Sequence, residues 1–112
     1  AFLFAAMLGH IFQEELEDRS FLTEHCRDTE ILCEVFEAIP VDAYCEHAGC
    51  ETKVVKQVTR DYVDADRATI RADLGLEHTW HSTLNDYLGK LLFLVTGHFG
   101  RLGTNNLHAQ FL

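Results

Sequence analysis

The sequence predicts an all-α domain of five or six helices, and three observations carry that expectation. Apolar residues recur at steps of three and four through most of the 112 positions. Only one proline, Pro40, interrupts them. Hydrophobic residues make up 47% of the chain and charged ones 24%, a balance that supports a packed core and speaks against disorder. Residues 1–112 then form one domain. A chain of this size buries roughly 60 to 70% of its unfolded surface, so neither disulfides nor metals are required for folding.

The first helix follows from Phe2, Phe4, Ala5, Leu8, Ile11, Phe12 and Leu16, which share a 3.6-residue period. "AFLFAAMLGHIF" has some look of a leader peptide, yet no basic stretch precedes it, His10 interrupts it and "QEELED" follows. It also falls short of the ~20 apolar residues of a membrane span. We read a buried helix and expect no membrane association. Ser20 is a fit N-cap for a second helix, Phe21 to Ile39, whose inner face carries Leu22, Cys26, Thr29, Cys33, Phe36 and Ile39. Pro40 ends it, and a shorter helix, Val41 to Ala48, closes at Gly49 in a left-handed cap.

"TKVVKQVTRDYV" (52–63) is rich in β-branched residues, but Val54, Val55, Val58 and Tyr62 sit at helical steps, which favours helix. A further helix would start from the Asp66 cap and stop at Gly75. Because Ala68, Ile70, Ala72 and Leu74 also alternate, the competing fold is α+β, with residues 52–74 as strands. Ser82 caps the clearest element, in which Leu84, Tyr87, Leu88, Leu91, Leu92 and Val95 form one stripe. "LLFLV" makes its last turns apolar all round, as for a central helix. "GHFGRLG" breaks it, and "TNNLHAQFL" reads as a closing helix from Thr104.

The net charge of −9 is unevenly placed. Residues 1–51 hold twelve acids against Arg19 and Arg27, a net of −10, while residues 52–112 hold six acids against seven Lys and Arg, a net of +1. Such a field favours a basic protein partner and disfavours nucleic acid. Glu14, Glu15, Glu17 and Asp18 gather at the end of the first helix, where they oppose the macrodipole by a few tenths of a kcal/mol each. That placement marks them as the candidate partner surface.

Two other constellations suggest chemistry. "YCEHAGC" brings Cys45, His47 and Cys50 together, and "EHTWH" adds His78 or His81, enough for a tetrahedral zinc site. On a helix, however, Cys45 and His47 lie about 200° apart, so a shared metal requires that turn to unwind. The simpler expectation is no cofactor, with Cys26, Cys33, Cys45 and Cys50 as free thiols in a cytoplasmic protein and Trp80 tucked into the core.

"DADRATIRADL" (64–74), about a tenth of the chain, resembles the turn and recognition helix of bacterial helix-turn-helix regulators. The resemblance implies that Asp66 caps a recognition helix within residues 52–74, that Ile70 packs inward, and that Arg67, Thr69 and Arg71 face the major groove. Arg60 and Asp64 stand where that family has a small residue and usually glycine, and the charge of the chain opposes DNA. A cysteine nucleophile would find its histidine in space rather than in sequence, and nothing singles out one of the four cysteines, while a phosphate-binding loop and Glu-x-x-His pairs are missing. The leading expectation is therefore a non-enzymatic helical interaction module that self-associates. A helix-turn-helix regulator is the alternative and a metal-binding protein the third reading.

Overall fold

A computed structural model describes residues 1–106, and among them the chain is all-α, as its periodicity predicts. Seven helices follow in order: α1 (Phe2–Gln13), α2 (Arg19–His25), α3 (Thr29–Glu37), α4 (Val41–His47), α5 (Thr52–Asp64), α6 (Leu74–Glu77) and α7 (Ser82–Val95). No strand forms among the described residues, so residues 52–74 do not make the sheet of the α+β alternative.

Helix α1 has no polar face: Ala5, Ala6, Leu8, Gly9, His10, Ile11 and Phe12 are all buried. A helix of that composition has to be covered on most sides, and α3, α4, α5 and α7 all pack against it. The hub is thus α1, where the apolar run of α7 suggested α7. Gly9 makes the close approach possible, since a methyl group there would sit 3.1 Å from Ile39 Cβ and Val41 Cγ2. Leu8, Ile11 and Leu92 are fully buried, each stabilising the fold by about 1.5–3 kcal/mol. Phe12 stacks on Phe36 with ring centroids 5.8 Å apart.

Helix ends explain where the apolar period misleads. Glu15 takes a left-handed conformation (φ 54°), and the amides of Glu15 and Leu16 donate to Phe12 O and Ile11 O, so α1 stops at Gln13 and Leu16 folds back onto the core. The predicted helix from Phe21 to Ile39 is two helices. Cys26 is extended and Asp28 left-handed (φ 57°), and the break lets α2 pack on α7 while α3 packs on α1. Asp18, not Ser20, caps α2, its carboxylate accepting from Phe21 N at 2.9 Å. Gln13 Nε2 donates to Glu37 O (3.0 Å) and Ile39 O (2.8 Å), tying the end of α1 to the end of α3. Gly49 (φ 70°) closes α4 as expected, with Cys50 N donating to Cys45 O.

A second correction concerns residues 65–73, which are not helical. Asn105 decides this: its Oδ1 accepts from Ile70 N at 2.8 Å and its Nδ2 donates to Ile70 O at 2.9 Å, as a neighbouring strand would. Gly75 lies inside α6 and does not end a helix. Thr104, Asn105 and Asn106 are not helical either, and the remainder of the expected closing helix, 107–112, lies outside the described residues.

Several polar groups are buried with the core. Thr59 and Thr96 return their hydroxyl protons to Val55 O and Leu92 O one turn earlier. His98 Nε2 is 2.9 Å from Tyr62 O, and because a carbonyl only accepts, that nitrogen carries the proton. His10 is 2% exposed and its Nε2 has no partner. Burial, assisted by Arg60, holds its pKa below the ordinary imidazole value, against the smaller opposing effect of Glu14.

Two outcomes follow for stability. Gly9→Leu should destabilise by about 1–3 kcal/mol through overpacking against Ile39 and Val41, read as a lower urea midpoint. Because the folded state resists protonating His10 while the unfolded chain accepts the proton near pH 6.5, the stability that neutral His10 contributes is lost as pH falls through that range. Urea midpoints at about pH 8 and about pH 5 should converge in His10→Gln relative to the parent chain.

Candidate functional site

The helices around α1 use one face each to cover it and leave other faces open. On α3 the inward residues are Leu32, Cys33 and Phe36, so Ile31 and Val35, one turn apart on a different side, miss the core and are 62% and 55% exposed. Val35 joins Phe2 of α1 and Leu84 and Tyr87 of α7 around a hollow of about 380 Å³, with Phe36, Ile39 and Tyr44 in its floor and His81 at its edge. Phe2 is held there by edge contact with Tyr44 (5.2 Å) and a tilted contact with His47 (5.0 Å). The result is an open apolar cleft between α1, α3 and α7.

Charge around this cleft is one-sided. Asp28 to Thr52 contain seven carboxylates and no lysine or arginine. On α3, Glu30, Glu34 and Glu37 form a row at i, i+4 and i+7, about 100° from the Ile31–Val35 stripe, and none of the three is in an ion pair among the described residues. The absence of any basic residue over that span was readable from sequence.

The acids singled out from the sequence occupy a different place and are largely engaged. Glu14 pairs with Arg60 at 2.9 Å, and Glu15 and Glu17 pair with Arg19 at 3.2 and 2.8 Å. Glu17 is the most committed, its side chain 5% exposed with one oxygen buried and unpartnered. Asp18 caps α2 through its side chain and donates its amide to Val95 O at 2.8 Å.

Cys45 is buried and His47 exposed, on different sides of α4, and His47 Nδ1 contacts Ala43 O at 2.9 Å. Cys50 Sγ donates to Ala48 O at 3.6 Å, and His78 and His81 are exposed on the α6–α7 connection. No three His, Cys, Asp or Glu side chains converge among the described residues. All four cysteines are free thiols. Burial, reinforced by the carboxylates of Glu17 and Glu37, pushes the Cys33 thiol up, so it stays protonated at neutral pH and is a poor nucleophile.

Arg67, Thr69 and Arg71 lie on the extended 65–73 segment rather than on a recognition helix. Arg67 pairs with Asp66 at 3.2 Å and Arg71 with Asp73 at 3.1 Å. Trp80 is fully exposed, contrary to the expectation that it enters the core: the turn between α6 and α7 buries Asn85, bonded to Thr79 Oγ1 at 3.0 Å, and turns the indole outward.

Asn105→Ala should free the 65–73 segment. Limited trypsin digestion followed by mass analysis should then show faster cleavage after Arg67 and Arg71 than in the parent chain, with other sites unchanged. No helix among the described residues is long and apolar enough to cross a membrane. No protein-family model matches this chain, and no curated protein matches it significantly.

Proposed function

We propose that the chain is a non-enzymatic helical protein-interaction module that docks a partner in the cleft between α1, α3 and α7. One observation carries this reading. Phe2, Val35, Leu84 and Tyr87, from three helices, are 41 to 55% exposed and converge on a single hollow. Isolated surface hydrophobics are ordinary, but a contiguous apolar patch on a small domain is a preferred binding surface. Self-association and a basic partner are the two occupants that the sequence suggests. Four free thiols suit a cytoplasmic setting.

Val35→Asp combined with Leu84→Asp tests the reading, since both side chains are about half exposed and their replacement leaves the core intact. The double variant should keep the far-ultraviolet dichroism of the parent and lose most of its enhancement of a dye that binds exposed apolar surface. An unchanged dye signal would locate the apolar surface elsewhere and end the proposal.

A further inference from the structure

Two of the four cysteines meet at the end of α4. Gly49 N donates to Glu46 O at 3.0 Å and Cys50 N donates to Cys45 O at 2.9 Å, and with Gly49 left-handed at φ 70° these two bonds close the helix in a glycine-capped turn. In such a turn the residue after the glycine packs back over the helix residue to which its amide is bonded. Cys45 is fully buried in a cluster with Ala6, Val41 and Val55, and Cys50, partly exposed, packs against the same cluster. Because Cys50 N lies 2.9 Å from Cys45 O, standard backbone bond lengths hold the two Cα atoms within about 6.8 Å of each other, no farther than a disulfide can span. We infer that Cys45 and Cys50 form a reversible thiol–disulfide site, oxidised by a hydroperoxide and restored by a small thiol reductant.

Exposure sets the order of events. Cys50 is the member of the pair that meets solvent, so its thiolate attacks one oxygen of hydrogen peroxide. The O–O bond breaks, the departing hydroxide takes up a proton as water, and the Cys50 sulfur becomes a sulfenic acid. The Cys45 sulfur then attacks the Cys50 sulfur: the S–S bond forms, the S–O bond breaks, and the hydroxide leaves with the Cys45 proton as a second water. Two thiols are oxidised and one peroxide is reduced to two waters. Exchange with a dithiol such as dithiothreitol reverses the change.

Position favours this pair over the other thiols. Cys26 lies in the extended break after α2, Cys33 on the inward face of α3, and among the described residues neither shares a backbone hydrogen bond with another cysteine. Closing a ring between Cys45 and Cys50 orders little additional chain, since the turn at Gly49 already holds it. The end of a seven-residue helix is also a part of the fold that opens locally, which brings the buried Cys45 sulfur to its partner while the core around α1 stays closed.

Intact mass and thiol counting test this on the whole chain. Treated with hydrogen peroxide, the reduced protein should lose two hydrogens, about 2 Da, and its thiols titrated in denaturant should fall from four to two. Cleavage after Glu46 by a glutamate-specific protease separates the two cysteines, so the oxidised chain should yield a linked pair of peptides carrying Cys45 and Cys50 that dithiothreitol splits. Cys26→Ser with Cys33→Ser should keep the loss of two hydrogens, and Cys50→Ser should abolish it. The peptide map of the parent chain decides the matter by itself if a substitution disturbs folding. A link that uses Cys26 or Cys33, a link between two copies, oxygen added to Cys50 without a crosslink, or four thiols remaining after treatment each overturns the inference.

Discussion

Enclosure of α1 is the constraint on which the rest of the structure depends. A twelve-residue helix with Ala6, Leu8 and Ile11 at zero exposure cannot stand at a surface, so the other elements are arranged by what they must cover. Small residues set the distances: at Gly9 the chain around Ile39 and Val41 comes as near as a side chain permits. Where α1 is chemically awkward, at His10, the structure buries a neutral imidazole rather than open the packing.

Covering a central helix from several sides calls for short elements, and their shortness has consequences. Helices of seven to nine residues, such as α2, α3 and α4, are marginal alone and persist because one face is buried. Each has a second face with no partner among the described residues. On α3 and α5 those free faces carry β-branched pairs, Ile31 and Val35 on one and Val54 and Val58 on the other. Within the acidic first half, Glu14, Glu15 and Glu17 are paired near the end of α1, whereas Glu30, Glu34 and Glu37 of α3 have no ion pair among the described residues.

Much of this was legible in the sequence wherever the deciding interactions are local. The periods of α1, α4, α5 and α7, the stop at Pro40 and the cap at Gly49 all act within a few residues. The break at Cys26–Asp28 was not legible, because the three-and-four spacing continues across it and only the different packing of α2 and α3 reveals it. Residues 65–73 carry a good cap and a helical spacing, yet a side chain 35 positions away fixes Ile70 as extended. For the candidate site, the acidity of the first half was plain, but position in the chain did not tell engaged carboxylates from free ones: Glu17 is buried against Arg19 while Glu34 stands in solvent. The cleft itself joins residues from both ends of the described chain and leaves no local mark.

Trp80 gives the molecule an unusual optical character. It is the chain's one tryptophan and already meets water on every side. Its emission therefore changes little when the core around α1 melts, and the near-ultraviolet signal of folding rests with Tyr62 and the stacked phenylalanines. What the indole senses is its immediate surroundings, one residue from the histidine that borders the cleft. Tryptophan emission is thus a poor reporter of unfolding in this protein and a local reporter of its surface.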